Sequence, residues 1–454
     1  MIDRLKVFSA PLAWLLIQGT VMAFMIALPG YFDLKLTRDS ESFLIFFPTW
    51  EGFYSFLQDI LTNYRTFGYP LFLKIINFIM PGLDSLPLAH YLFHLAAVLI
   101  FWMSLRRYGF GPWTAFSAAS PLLYARIVLK YCPQVMSDTV GISAVIITYS
   151  FLFLVSSLPQ RVFYWLGLLI SLFMTYQIRP VYVFLVFLIP FQGFILFLLH
   201  GNNRIKKGQM ALRYLAVSCI PFLLFCALRW AMVGEFGFAS YAGVNASGPA
   251  TWLLKPDIIP KLPENLQVLA ESILKKRRDL GAPDGIEGDR VHWRDHNTWL
   301  YANPRYINQV AMPTAAEIYG SNKRNYGGIT LNRNLEKLSL ELIKLRPHIY
   351  FQLVFLSIQK FMMETINTNL LLQAALLFFI LSRIFVAASN APGPIPEATI
   401  MLFIGATFFL SKMIGVTLVQ MPVGRYYMAA EIFLPSIFLT AAFAPWKRKL
   451  PDIT

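Results

Sequence analysis

Two carboxylates stand two residues apart in Thr37-Arg38-Asp39-Ser40-Glu41-Ser42-Phe43. Such a pair can supply a general base, or a base together with a metal ligand. It equally suits a solvated loop in which short acids cap helix N-termini. Four basic sites follow: Arg65-Thr66-Phe67-Gly68-Tyr69-Pro70, Lys130 with Asp138 eight residues on, Gln177-Ile178-Arg179-Pro180, and Gly424-Arg425-Tyr426-Tyr427 with Glu431 and Pro435 behind. A guanidinium matches phosphate oxygens as a planar bidentate fork. A tyrosine beside it, such as Tyr426 or Tyr427, can stack on a sugar or an isoprenoid. For any single site the plain alternative is an Arg or Lys that snorkels at a membrane interface beside an aromatic belt.

Three further signals have structural readings beside the chemical one. His90 and His94 lie i,i+4, so both can face one metal ion, but no third ligand is identifiable, and interface packing explains them equally. Lys275-Lys276-Arg277-Arg278 closes a helical pattern, where cations oppose the dipole; contact with an anionic acceptor is the other reading. Asp295-His296-Asn297-Thr298-Trp299-Leu300 resembles the His-Asn-x-x-Leu motif of O-antigen ligases and polymerases, without the apolar span that follows it there. The cysteines show no disulfide or metal spacing: Cys219 and Cys226 share one apolar run and Cys132 stands apart.

The elements that must position these groups are membrane spans. Of the residues 57% are hydrophobic and 14% charged, against roughly 25% charged in soluble domains. Apolar runs of about twenty residues recur, the length that crosses a bilayer as helix. They do not alternate as barrel strands would. The pattern predicts an all-α polytopic membrane protein with about ten transmembrane helices, near 8–28, 87–105, 112–129, 138–157, 162–178, 181–199, 213–232, 368–389, 397–418 and 427–444. The charged start with Arg4 and Lys6 precedes an apolar run too long for a cleavable signal, and Pro29-Gly30 reads as a helix stop, so the first span is expected to be retained.

Connecting segments bearing Arg4, Lys6, Arg106, Arg107, Arg161, Arg204, Lys206, Lys207, Arg213, Arg383, Lys447, Arg448 and Lys449 hold only Asp3, Glu397 and Asp452 in opposition. The positive-inside rule places them, and both termini, in the cytoplasm. This clustering also explains the net charge of +15 without nucleic acid. The other face receives 29–86, 130–137, the Arg179-Pro180 turn, 233–367 and 419–426. The expected division is a membrane domain over 1–232, an extracytoplasmic loop region of mixed character over 233–367, and three more spans over 368–454. The apolar run Leu71–Met80 is too short to span and predicts an interfacial helix in the first outer loop. Within the long stretch, 264–280 predicts a helix with Leu266, Leu269, Ile273 and Leu274 inward and Gly281 as its stop. Residues 281–334 read as loop, Leu335, Leu338, Leu342 and Leu345 share one helical face, and Pro347 starts a second, more apolar element over 348–363.

The order of these motifs resembles the GT-C superfamily of membrane glycosyltransferases: an acidic pair after the first span, Arg65 to Pro70, Ser137-Asp138 entering a span, Arg179-Pro180, and Gly424-Arg425-Tyr426-Tyr427 before the last span. The chain looks most like the bacterial branch related to protein O-mannosyltransferases, lipid A aminoarabinose transferases and lipopolysaccharide galacturonosyltransferases. Gly237 to Asn245 resembles a Gly-Asn stretch of that branch. The similarity covers roughly 1–250 and 365–445, not 255–335. It implies an enzyme of the bacterial inner membrane with its active site facing the periplasm. A sugar would pass with inversion from a polyprenyl-phosphate donor to a glycolipid or surface polysaccharide. In that family an acid of the first outer loop is the catalytic base or positions the acceptor; Asp39 matches, with Glu41 beside it. Arg65, Arg179, Arg425 and Tyr426 would hold the lipid phosphate, and Tyr69, Lys130, Asp138 and Asn245 are further substrate-site candidates. No cofactor is required, and a divalent metal remains compatible. The competing readings are an O-antigen ligase-like enzyme using His296 and a flippase or transporter of lipid-linked sugar.

Overall fold

Long apolar runs leave backbone amides no partner but one another, and the chain folds accordingly. The structure, a computed structural model, describes residues 10–37, 40, 43–44, 53–63, 65–200, 206–282, 285–286, 290–320, 327–388, 396–419 and 424–443. Among them every regular element is helical; the one strand-like contact is an isolated parallel bridge between Lys35 and Gln134. The first part of the chain forms α1 (Ala10–Ala27), α2 (Phe53–Thr62), α3 (Gly68–Ile79), α4 (Leu86–Tyr108), α5 (Pro112–Leu123), α6 (Arg126–Tyr131), α7 (Asp138–Ser157), α8 (Val162–Ile178), α9 (Leu185–Leu199) and α10 (Lys207–Val233). A middle unit follows with α11 (Ala242–Thr251), α12 (Glu264–Asp279), α13 (Trp293–Arg305), α14 (Met312–Tyr319) and α15 (Gly327–Leu345). The chain continues through α16 (Pro347–Thr368), α17 (Leu370–Ala388), α18 (Pro396–Val419), α19 (Gly424–Ala430) and α20 (Leu434–Phe443).

Seven helical stretches among the described residues are long and apolar enough to cross a membrane: α1, α4, α7, Pro180–Leu199, α10, Glu397–Val419 and Gly424–Phe443. An eighth results if α16 and the start of α17, bent by 76° at their junction, count as one. The remaining expected spans do not meet this length among the described residues. Over 112–129 the helix breaks at Tyr124-Ala125, leaving α5 with 12 residues and α6 with 6; Pro121 near the break lacks an amide for the helical ladder. Over 162–178, α8 is apolar throughout but only 17 residues long. The apolar run from Leu71 forms most of a helix of 12 residues, α3.

The central member is α7, buried along nearly its whole length between α4 and α8. Small residues permit the close packing usual between membrane helices: a Cβ on Gly193 would meet the Tyr214 ring at 2.5 Å, and one on Gly167 the Phe151 ring at 2.2 Å. Outward faces stay apolar, with Trp14, Ile17, Val21 and Phe24 exposed on α1 and Leu212, Leu215, Leu223 and Leu224 on α10.

A second core sits in the middle unit. Leu266, Leu269, Ile273 and Leu274 are all buried on α12, and Gly281 follows with a φ of +54°, a left-handed stop that favours glycine. Leu335, Leu338 and Leu342 are buried on α15, whereas Leu345 at its end is exposed. The expectation of loop over 281–334 is corrected: α13, a π-helical turn over Tyr306–Ala311, α14 and the start of α15 lie there. Their apolar positions Trp299, Ala302, Tyr306, Val310 and Ala315 are buried at helical spacing, while the Asn, Asp and Arg that suggested loop lie among them. A capping box between His292 and Asp295 starts α13.

The two cores are joined where α10 ends. Arg229, fully buried, donates to the carbonyls of Leu61 and Gly237 and to Ser240 Oγ, and pairs with Glu235 at 3.7 Å. Next in the chain, Asn332 Oδ1 on α15 accepts from the amides of Gly243 and Val244, satisfying donors of α11's first turn. A Cβ on Gly243 would lie 2.1 Å from the Asn332 carbonyl oxygen, so the α11–α15 contact requires glycine. Gly243→Ala is expected to destabilise the middle unit by roughly 1–3 kcal/mol, read as earlier thermal unfolding of the detergent-solubilised protein.

Candidate functional site

Asp138 opens α7, where a carboxylate is favoured by the positive end of the helix dipole. Arg179 follows α8 in an extended conformation that Pro180 reinforces. The two turns meet because Gly141 has no side chain: a Cβ there would lie 3.1 Å from Arg179 Cβ and 3.2 Å from the Tyr182 ring. Arg179 Nη1 forms an ion pair with Asp138 Oδ2, with both side chains buried. On the other side of this turn, Gly68 at the start of α3 abuts the Gln177 and Ile178 backbone, and a Cβ there would approach within 2.6 Å.

One tyrosine gathers the remaining charge. The ring of Tyr426, on α19, has Arg425 Cζ at 5.3 Å, Arg179 Cζ at 5.8 Å and Lys412 Nζ at 6.0 Å from its centroid. Lys412 projects from α18 and is 1% exposed. Its Nζ lies 4.1 Å from the centre of the Tyr182 ring and has no hydrogen-bond partner among the described residues. Asp138 and the guanidinium groups of Arg179 and Arg425 all act electrostatically on Lys412. Lys412, Arg179 and Arg425 thus share the neighbourhood of Asp138. Asp138 Oδ1, Gln177 Oε1, Gln177 Nε2, Arg179 Nε and Tyr182 Oη are also buried without hydrogen-bond partners. Among the described residues, this concentration of unsatisfied polar atoms beside three basic side chains suits anionic oxygens.

Asp138, Arg179, Arg425 and Tyr426 therefore come together as expected from the sequence. Tyr69 adjoins them: it feels the charge of Asp138, and its hydroxyl lies 3.3 Å from His90 Nε2. Arg65 stands over other rings, with Cζ 5.0 Å from the centre of Phe43 and 5.4 Å from that of Tyr241. Lys130 is exposed beside Tyr131, and it is Tyr131 that lies within the field of Asp138, Arg179 and Arg425. Asn245 is half-buried on α11. Asp39 and Glu41 lie outside the described residues; nearby, Lys35 donates its amide to the Pro133 carbonyl, and Ser40 is buried against Thr37.

The histidine pair serves packing. His90 Nδ1 donates to the Cys132 carbonyl at 2.9 Å, which leaves Nε2 to accept from Tyr69. His94 Nε2 donates to the Leu122 carbonyl at 2.8 Å, with Nδ1 3.0 Å from Ser143 Oγ. Neither ring presents a nitrogen to a shared metal ion. Among the described residues no group of three or more His, Cys, Asp or Glu is placed to hold one. In the basic run that ends α12, Arg277 is buried and donates to the carbonyls of Thr251 and Leu254, and Lys276 pairs with Glu317.

Sequence reasoning left Lys412 out of the site. The available signal was a lysine inside the apolar run of α18, since ionisable groups in spans mark functional or paired positions. A second polar group joins Arg126 to Glu431 at 3.1 Å beside the α16–α17 bend, where Arg126 also donates to Thr368 and lies over the Tyr427 ring. No family model, curated protein or solved structure matches the chain.

Two outcomes follow from this geometry. Asp138→Asn strands a buried guanidinium and is expected to cost about 3–5 kcal/mol of stability; adding Arg179→Met should restore most of it in a double-mutant thermal series. His296, buried in the middle unit, stacks on Trp293 and lies 3.1 Å from Ser357 Oγ. Burial, with Lys360 nearby adding positive charge, pushes its imidazole down to about 4. The unfolded chain takes up a proton near pH 6.5 and the folded one only near 4, so stability is full above that range and falls as pH drops through it. On the order of 2 kcal/mol should be lost between pH 7 and pH 5, and His296→Gln should flatten that slope in pH-dependent melting.

Proposed function

We propose that the chain is a membrane-embedded glycosyltransferase of the GT-C type, acting on a polyprenyl-phosphate-linked sugar. The observation that carries this reading is the Tyr426 ring surrounded by Arg179, Lys412 and Arg425, with Asp138 as the carboxylate among them. A lipid phosphate supplies negative charge and enough oxygens for several charge-assisted hydrogen bonds. Its isoprenoid chain is compatible with the apolar surroundings of α3 and the spans. Asp138 then has a holding role: it orients Arg179 and offsets part of the positive charge before the donor arrives.

In this reading the acceptor hydroxyl of a glycolipid or surface polysaccharide attacks the anomeric carbon from the face opposite the phosphate. Asp39, with Glu41 beside it, takes the hydroxyl proton as the new C–O bond forms. The bond from the anomeric carbon to the phosphate oxygen breaks, and the electron pair leaves on the phosphate. The guanidinium groups of Arg179 and Arg425, with Lys412, stabilise that departing charge. The configuration inverts. The topology assigned here has the short helices α5–α6 and α8 completing ten spans, the termini in the cytoplasm and the site facing the periplasm of a bacterial inner membrane.

The ligase-like alternative would need His296 as a catalytic group. Its ring is packed between Trp293 and Trp299 in the middle unit, which favours a structural role. The transporter alternative predicts that lipid-linked sugar crosses liposome membranes without being consumed.

Native mass spectrometry of the purified protein is expected to find a retained polyprenyl phosphate. Lys412→Met combined with Arg425→Gln should lower its retention at least about tenfold, since a hydrogen bond to a charged group contributes roughly 1.5–3 kcal/mol. Asp39→Ala should keep the lipid and abolish sugar transfer, while His296→Ala should transfer normally. Full transfer activity in Asp39→Ala, or unchanged lipid retention in the cation variant, would exclude the proposal.

A further inference from the structure

The middle unit carries a groove of its own, away from the Tyr426 cluster. It has a volume of about 550 Å³ and runs between the Arg290–His292 segment and the first turns of α16. Arg290, His292 and His348 line one part of it; Phe351, Phe355 and Leu356 line the rest. The segment is held by a hydrogen bond from Val291 N to Gln352 Oε1 at 2.7 Å, and upstream of it Arg346 donates to the Ile286 carbonyl at 3.1 Å. No acidic side chain lines the groove among the described residues.

The apolar part does not end at the groove. Phe351 and Phe355 are 61% and 59% exposed, and Met362, Met363 and Ile366 continue the same exposed helical face. That face runs into Leu370, at the start of the apolar helix α17. A water-soluble unit rarely leaves such a row uncovered. Continuity with α17, which belongs to the bent pair able to enter a membrane, indicates what covers it: lipid. The cationic and imidazole groups at the other end of the row stand where a headgroup would be. An aromatic of interfacial type, Trp293, flanks them at 38% exposure.

We propose that this groove binds one anionic phospholipid of the surrounding bilayer, its phosphate on Arg290, His292 and His348 and an acyl chain over Phe351 and Phe355. A guanidinium and ring N–H donors suit phosphate oxygens, and the phenylalanine face suits hydrocarbon. The bound lipid fastens the middle unit to the membrane surface at the first turns of α16. The inference stands independently of the transferase reading.

The test uses the full-length protein in detergent, titrated with phosphatidylglycerol or phosphatidylcholine of the same chain length and read by native mass spectrometry. Wild-type protein is expected to retain one phosphatidylglycerol in preference to phosphatidylcholine. Arg290→Ala with His348→Ala, both at exposed positions, should lower that retention about tenfold, equivalent to one lost charge-assisted contact. Phe355→Ser should weaken both lipids alike, and the melting temperature of each variant should match the wild type. Equal retention of the two lipids by the wild type, or undiminished phosphatidylglycerol in the double variant, would overturn the proposal.

Discussion

The ion pair between Asp138 and Arg179 is the constraint on which the arrangement of the site depends. Two charges withdrawn from water cost several kcal/mol each unless they meet in good geometry. The surrounding backbone is shaped to make that meeting possible. Gly141 clears space for the arginine, Gly68 lets α3 press against the same turn, and Pro180 ends α8 where Arg179 must extend. With Arg179 fixed, Tyr426 has a partner on one side, and α19 can bring Arg425 and α18 can bring Lys412 to the same ring. The pair thus links α7, α8, α18 and α19, elements far apart in the chain.

Its charge balance is as telling as its geometry. A buried pair is normally closed, with each oxygen and nitrogen satisfied. Here, among the described residues, polar atoms of Gln177, Tyr182 and Lys412 stand without hydrogen-bond partners. By contrast, Arg229 in the same protein is closed: carbonyls, a hydroxyl and Glu235 take up its donors. The difference separates an arginine that holds the fold together from a cluster with capacity left for a ligand. Like charges so close repel in a medium of low dielectric, and an incoming anion relieves that repulsion.

The membrane frame was legible because hydrophobic length is a direct physical requirement of a bilayer. The seven stretches that meet it coincide with expected spans; of the other three, 112–129 falls short through a local break, 162–178 through length, and 368–389 qualifies only as part of the pair bent at Thr368. The middle unit was less legible. Its helices carry Gly, Asn and Arg densely enough to mimic loop, and only the buried spacing of Trp299, Ala302 and Tyr306 betrays them. The site was read in part: Asp138, Arg179, Arg425 and Tyr426 were found because each flanks a span end. Lys412 was visible as a charge toward the outer end of its span, but nothing in the sequence placed it beside Tyr182 and Tyr426. The His90 and His94 spacing allowed a metal but, with no third ligand, favoured packing, and the carbonyls of Cys132 and Leu122 on neighbouring segments take up both rings.

The bend between α16 and α17 connects the site to the middle unit. At that junction Arg126 reaches across to Thr368 and pairs with Glu431, one helical turn beyond Tyr427. Tyr426 and Tyr427 are adjacent, so one residue faces the cationic cluster while the next faces this acid-bearing group. At its other end α16 packs its first turns on the middle unit, and the Tyr350 hydroxyl donates to the Leu418 carbonyl at the end of α18, six residues past Lys412. α16 is therefore held at one end to α18 through Leu418 and at the other to Arg126, which pairs with Glu431 just after α19. A shift of the middle unit relative to the membrane helices would be transmitted along α16 to α18 and α19 together, because neither contact can move without disturbing the other. The soluble unit and the buried charges form one mechanical assembly, with the bend as the place where its two parts meet.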